Sequence, residues 1–503
     1  MMEGAMQLWP KSLVSLALAV GGVIGLVGFF LFKKLPNSPP GPKRWSLIGT
    51  IAELRGGLFF RFIRDWSKKY GPVMLVHIDY QEIIVLSRID VVREALITRQ
   101  ADFEGRPDAF AAHTLSEGGK RIIHSPYGPA WKIHRKIASK ALRQYLMGDH
   151  LSWIVSQTLD IITKQMREER EAFNPFYSIS LGVSNMMTGM LFDKISQTED
   201  SENYQTYVNN FDRICFYGGK SFFEDLIPLL HLCPLPRLYR AQGYATDMAD
   251  AIRTEIAAHR DTFDKNKMRD FTDALILAQK EVEVEDDPTL TSQITDTHLL
   301  QAIFDLVLAG TNTTRDTLHW CLLAMALYPD IQTKVQNEVD TVVGPDLNVH
   351  VSDRDRLPYT DAVIHEVMRM RTETPMGVPH VTLRRTTIGG YDVFEGSLVY
   401  INYTALHFDP DQWEDVNTFK PERFLDSEGK MGPTPESWFP FSAGRRVCLD
   451  ASIAIPELPL VLAGILRAFT ISLGPGTQHD FEPKDWDDSN TPGRYLIVAQ
   501  SRI

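Results

Sequence analysis

From Ser12 to Phe32 the chain runs for 21 residues without a charged side chain, mostly Leu, Val, Gly and Phe. A helix of that length spans about 31 Å at about 1.5 Å per residue, enough to cross a hydrocarbon core. A cleaved signal peptide fits less well, because its apolar stretch is about 7–15 residues and ends at small residues. This one ends in Phe29-Phe30-Leu31-Phe32. Lys33, Lys34, Lys43, Arg44, Arg55, Arg61 and Arg64 follow, so the positive-inside rule predicts a cytoplasmic remainder. Pro36, Pro39, Pro40 and Pro42 then predict a stiff spacer rather than a helix or a ladder strand.

Beyond residue 50 the pattern predicts one large, mainly helical α+β domain. Phe59 to Tyr70 has helical spacing and stops at Gly71-Pro72. Val73 to His77 and Ile83 to Leu86 predict a strand pair, and residues 126 to 260 carry mostly helical periodicity. Glu281 to Pro288 predicts an acidic surface loop. Ile388 to Val393 and Leu398 to Ile401 predict short strands among Pro–Gly turns. Asp296 to Tyr328 is apolar in almost every direction around a helix, from Leu299 through Leu308. Such a helix belongs in the middle of a large protein or in a membrane. Gln301, Asp305, Arg315 and Asp316 argue against a span, so a long buried central helix is predicted. The predicted organisation is a tail at 1–11, a transmembrane anchor at 12–32, a basic Pro-rich linker at 33–49 and a catalytic domain at 50–503.

Composition narrows the class without naming it. The 503 residues carry 52 Lys and Arg against 64 Asp and Glu, a net charge of −12, with 44% hydrophobic residues. That excludes a disordered chain and a collagen, and no nucleic-acid partner is expected on an acidic chain. The 4 cysteines, at 215, 233, 321 and 448, have no CxxC pairing, which argues against a zinc ribbon and a disulfide scaffold. Three read as small buried apolar residues.

The fourth has distinctive neighbours. Phe441-Ser-Ala-Gly444-Arg445-Arg446-Val-Cys448 precedes the apolar run from Ala451 to Leu466. A helix start favours a thiolate, a glycine permits a tight turn under a bulky group, and an arginine binds carboxylates. Sulfur ligation of a haem iron requires such a set. The middle of the central helix, Ala309-Gly310-Thr311-Asn312-Thr313-Thr314, replaces helix formers by small and hydroxyl residues. Those hydroxyls can bond back to carbonyls one turn earlier, and Gly310 leaves space either for a flat group or for a tight helix crossing.

At these residues the chain resembles the cytochrome P-450 monooxygenases. F-x-x-G-x-R-x-C matches their haem signature, and Ala309 to Thr314 their A-G-x-[D/E]-T-[T/S] motif. Glu366-Val-Met-Arg369 matches E-x-x-R, Pro421 to Phe424 matches P-E-R-F, and Trp131 to Arg135 matches W-x-x-x-R. The anchor and spacer resemble those of microsomal animal members, and the C-terminal half is similar to the steroid 17α-hydroxylase and aryl-hydrocarbon hydroxylase group.

The resemblance implies the P-450 fold and a haem b whose iron takes Cys448 as axial ligand. It implies propionate contacts from Trp131, Arg135, Arg446 and His380, and a haem environment that includes Phe441, Gly444, Ala309 and Gly310. Thr313 and Asn312 are the implied proton-delivery pair, and Glu366, Arg369 and Arg423 an interlocked structural charge set. Substrate-facing positions are Phe103, Phe110, Phe304, Pro375, Met376 and Val378. The implied activity inserts one oxygen atom of O2 into a lipophilic steroid, fatty acid or xenobiotic. The implied electron source is NADPH–cytochrome P-450 reductase, with cytochrome b5 a second candidate, and the location is the endoplasmic reticulum membrane.

Lys132, Lys136, Lys140 and Arg143 form a basic stripe that is expected to dock an acidic partner. Leu226 to Leu230 and Leu232 to Leu235 form an apolar surface-loop candidate for membrane contact. Two positions depart from the family. Asn312 replaces the usual acid, and Asp450 replaces a glycine two residues after the cysteine. Two rivals to the monooxygenase follow: a reductase-independent haem-thiolate isomerase or dehydratase, and a non-catalytic haem or lipid binder.

Overall fold

The computed structural model describes residues 36–42, 63 and 66–502, apart from 79–80, 147–149, 197, 199, 219–222, 227, 345–348 and 483–489. The expected anchor at 12–32, the tail at 1–11 and most of the linker lie outside the described residues. The spacer that is described is held by the sheet: Leu75 N–H donates to Pro40 O (2.9 Å) and Asp392 N–H to Asn37 O (2.8 Å).

The principal helices are α1 (Pro129–Leu146), α2 (His150–Glu168), α3 (Phe176–Phe192), α4 (Pro236–Thr262), α5 (Phe271–Glu285), α6 (Asp296–Leu327), α7 (Pro329–Val343), α8 (Pro358–Met370) and α9 (Ala451–Ala468). The 32-residue α6 is about 48 Å long. It packs against α3, α4, α8 and α9, which explains why it is apolar on nearly every side. Thr295 caps it, its N–H donating to His298 Nδ1 at 3.1 Å, and Pro329 opens α7 directly after it. Apolar α9 also satisfies the length and composition of a membrane span. It instead packs against α2, α7 and α6, and Leu460 to Ala463 are fully buried.

The β region lies to one side. Strands β1 (Val73–Ile78) and β2 (Gln81–Leu86) are antiparallel. Together with β3 (His380–Val381) and β6 (Leu398–Ile401) they make a sheet of order β1-β2-β6-β3. The run from Ile388 to Val393 is not one strand. It folds as a hairpin of β4 (Thr386–Ile388) and β5 (Tyr391–Val393), because Gly389 and Gly390 take φ of 55° and 83°, the paired positive values of a two-residue turn. Strands β7 (Phe469–Leu473) and β8 (Ile497–Ser501) form a separate ribbon. The expected acidic loop at 281–288 is also corrected. Helix α5 continues to Glu285, and Pro288–Thr291 is a further helical turn, because the acids meet lysines of α1 (below).

Candidate active site

The cysteine loop enters α9 through strained backbone. Ser442 and Gly444 have φ of 61° and 69°. A Cβ on Gly444 would sit 2.0 Å from Leu96 O, so only glycine fits there. Cys448 N–H donates to Phe441 O at 2.9 Å, closing the loop, and the backbone N–H groups of Asp450 and Ala451 favour charge on its sulfur. Cys448 lies deep in the protein, yet its side chain is open to an internal cavity rather than packed. Burial, and the carboxyl of Asp450, push the free thiol up to about 12. The thiolate therefore forms only when a positive charge joins it.

The cavity has a volume of ≈ 240 Å³. At one side it meets Arg106, Arg135 and Arg446, whose hydrogen-bond partners are carbonyl oxygens. Arg106 donates to Ile123 O (2.9 Å) and Pro379 O (2.9 Å). Arg135 donates to Val447 O (2.5 Å). Arg446 donates to Glu104 O (3.1 Å), Ile122 O (3.3 Å) and Ser125 O (2.9 Å). Among the described residues none of the three has a carboxylate within ion-pair distance. Burial and mutual repulsion lower Arg446 to about 9, and burial with Arg135 lowers Arg106 to about 10. His380 joins them from β3 with Nδ1 2.8 Å from Phe103 O; burial and Arg106 keep it neutral. A cluster of cations satisfied only by carbonyls is a site for an anionic group.

Across the cavity, α6 contributes Asp305, Leu306, Ala309, Thr313, Thr314 and Thr317. Thr313 Oγ1 donates back to Ala309 O (2.7 Å) and Thr317 Oγ1 to Thr313 O (2.7 Å), while the helix continues through both.

Residues 39–498 match the family model described as Cytochrome P450. The chain belongs to the cytochrome P450 family.

Similar proteins include cytochrome P450 1A5 of Gallus gallus, 31% identical over 89% of this chain and 86% of that protein. Cytochrome P450 2U1 of Rattus norvegicus is 29% identical over 92% and 91%. A zebra fish cytochrome P450 structure with progesterone superposes with a TM-score of 0.78 at 28% identity, covering 88% of this chain and 99% of that one. P450 enzymes are haem-thiolate monooxygenases whose haem iron takes an axial cysteine thiolate. The site described fits haem on its own chemistry, with a deep cavity-facing cysteine under backbone N–H groups and three guanidiniums free of carboxylates.

Other expected site residues are placed less directly. Trp131 is buried and donates its indole N–H to Ile122 O at 2.9 Å, with the Arg446 guanidinium 4.1 Å from its ring. It supports that arginine and does not line the cavity. Gly310 is turned to α3, where an added Cβ would lie 2.7 Å from Met187; the tight helix crossing, not a flat group, uses its missing side chain. Asn312 does not line the cavity either, and its Oδ1 is buried without a hydrogen-bond partner. Phe441 and Val378 line the cavity. Phe103, Phe304 and Met376 are instead buried in core clusters, and Phe110 stacks on His231 at 4.2 Å. Large apolar side chains are better used in close packing than against an open cavity. Pro375 is not among the lining residues.

In the charge set under the cysteine loop, Glu366 and Arg369 have fully buried side chains and Arg423 is half-buried. Arg369 Nε and Nη2 hold the two Glu366 oxygens at 2.7 and 2.8 Å, and Arg423 Nε adds a third contact at 3.1 Å. Arg369 Nη1 reaches His407 O at 2.7 Å. His407, which sequence motifs do not mark, carries the connection onward. Thr372 Oγ1 donates to Met368 O, so it accepts from His407 Nδ1–H (2.7 Å). That leaves Nε2 to accept from Phe439 N–H (2.9 Å) on the cysteine segment. Burial and Arg369 hold this imidazole neutral, at about 3, as the tautomer requires.

One of the two departures from the family faces the cavity. Asp450 lines the cavity with Oδ1 unpartnered, and burial plus Asp305 push it up to about 7. The basic stripe is largely satisfied within the chain. Lys136 Nζ meets Asp286 (2.6 Å), and Lys140 Nζ meets Glu285 (2.7 Å) and Glu281 (3.0 Å). Lys132 lies over the Tyr127 ring at 4.9 Å. Sequence reading missed Arg106, Arg371 and Glu373 on the cavity wall, which belong to no recurring motif.

Proposed function

We propose that this P450 is an anchored, reductase-fed enzyme of the endoplasmic reticulum membrane that oxygenates a lipophilic molecule of steroid size. One observation carries the reading: Cys448 faces a deep cavity whose lining surface is mostly apolar and one side of which is cationic. Cys448 would bind the haem iron, and Arg106, Arg135, Arg446 and His380 would hold the propionates. Bound haem supplies dioxygen activation, in which one oxygen atom enters the substrate and the other leaves as water at the expense of two electrons and two protons.

The protein's own groups then have separate tasks. Thr313 Oγ1, bonded to Ala309 O, releases that bond to pass a proton into the cavity. Asn312 supplies an acceptor oxygen and holds water behind it, since an amide cannot relay a proton by ionising. Leu306, Ala309 and Val378 exclude water and seat the apolar body of the substrate. Similar zebra fish cytochrome P450 structures with progesterone and with abiraterone support a steroid-sized ligand. The 21-residue apolar run at 12–32 supports the anchor, and exposed Phe216 and Leu232, at 79% and 84%, support a second contact with lipid. With Lys136 and Lys140 paired internally, Lys132 and exposed Arg143 are the charges left on α1 to meet an acidic reductase.

The test uses the full chain in lipid with a microsomal reductase. A reduced carbon-monoxide spectrum with the thiolate-type Soret shift is expected, and so is NADPH-dependent oxidation of a steroid or fatty acid. Turnover of an oxygenated substrate without NADPH would establish the isomerase or dehydratase instead.

A further inference from the structure

We propose that Glu373 recognises a basic amine on the substrate, so that this cavity selects lipophilic amines over neutral molecules of the same shape. The proposal rests on the reading of this cavity as the substrate site. Glu373 follows α8 in the segment leading to β3, and lines the cavity beside Thr317, Thr372, Thr374 and Val378. The residue is half-buried, and its Oε1 is shut off from solvent with no hydrogen-bond partner among the described residues. A carboxyl in an apolar cavity is costly unless something meets it.

Among the described residues none supplies that partner. The cation nearest in its electrostatic surroundings is Arg315 on α6. Arg315 is already engaged by Asp316 (3.3 Å) and Asp212 (3.3 Å), with its guanidinium 4.9 Å from the Phe176 ring. Three carboxyls thus share one guanidinium. Arg371, the other cation on this part of the wall, is turned away. It donates to Phe481 O and to Met370 O (2.7 Å), and pairs with Glu482 (2.9 Å). Arg106, Arg135 and Arg446 are committed to carbonyl oxygens on the side that suits the propionates.

Acids therefore outnumber cations on this part of the wall, and a positive ligand group complements them. Burial and Asp316 push the Glu373 carboxyl well up, which favours its protonated form while no cation is present. An amine arriving as the free base takes that proton and becomes the ammonium of an ion pair. A hydroxyl or carbonyl ligand makes only a neutral hydrogen bond there, which discriminates less.

The test is calorimetric titration of the full-length, haem-loaded chain in lipid nanodiscs with a matched pair of probes. N,N-dimethyl-4-phenylbutylamine carries the tertiary amine, and (5-methylhexyl)benzene replaces its nitrogen by CH. Wild type is expected to bind the amine about tenfold or more tighter than the hydrocarbon. Glu373→Gln keeps the side chain's size and should abolish that ratio, whereas Glu373→Asp should keep part of it. A merely structural role would weaken both probes together and leave the ratio intact, which overturns the proposal. A Soret shift of nitrogen-to-iron ligation in both wild type and E373Q, with equal affinities, also overturns it. If the ratio depends on Glu373 while neither probe is oxidised with NADPH and reductase, recognition stands and the assigned reaction fails.

Discussion

Individual side chains in this P450 carry free energies far above the surface norm where burial removes water. Glu366 and Arg369 have side chains with no exposure, and each is satisfied on several atoms. Removing one partner leaves an uncompensated charge in a dry interior, so Arg369→Ala is expected to cost about 3–5 kcal/mol. Arg369→Lys should recover little, because an ammonium cannot span both Glu366 oxygens and His407 O together. Chemical denaturation measures the loss. The fraction of haem showing the thiolate-type carbon-monoxide spectrum should fall with it, through the His407 link to Phe439.

Between helices, charge complementarity that looks intermolecular is intramolecular. Lys136 and Lys140 on α1 pair with Glu281, Glu285 and Asp286 at the end of α5, which turns an acidic stretch from loop into helix. These pairs are largely solvent-exposed, so Lys136→Gln with Lys140→Gln should cost at most about 1–2 kcal/mol for the two. It should leave the rate of haem reduction by the reductase within about twofold. Lys132→Glu with Arg143→Glu should slow that reduction about tenfold and flatten its dependence on ionic strength. Stopped-flow reduction at several salt concentrations separates the two pairs of variants, and equal slowing by both would reject the assignment of Lys132 and Arg143.

At the scale of the whole molecule, helix α9 and the sequence run at 12–32 both satisfy the composition of a membrane span, for different reasons. Helix α9 is apolar because it crosses the protein core, where Leu460, Val461, Leu462 and Ala463 are fully buried. The run at 12–32 has the length of a bilayer-crossing helix and a flanking Lys33-Lys34 pair. Removing residues 1–34 should therefore convert membrane extraction from detergent-dependent to alkali-sensitive without loss of the thiolate-type spectrum. The exposed Leu232 and Phe216 should still hold a fraction of the truncated chain on lipid vesicles, and carbonate extraction with vesicle flotation measures both. A truncated chain that still resists carbonate would assign the integral contact elsewhere.

Local sequence was enough to specify what contiguous residues encode. The central helix, the strand pair at 73–86 and the cysteine signature were all legible there, because each depends on spacing within a few turns or on a tight loop. The E-x-x-R pair was legible too, since positions three apart share a helix face. Contacts distant along the chain were not. Lys140 meets Glu285 across 145 positions, and Arg446 donates to Ile122 O across 324, with no periodicity to announce either. For the same reason Trp131 proved to support an arginine, and Gly310 proved to serve a helix crossing. The direction in which a side chain points depends on which element packs against it. Glu373 is the clearest case, because an acid after a helix ordinarily faces water. Only the closing of α6, α8 and β3 around one cavity turns this one to a cavity wall, with no ion-pair partner among the described residues.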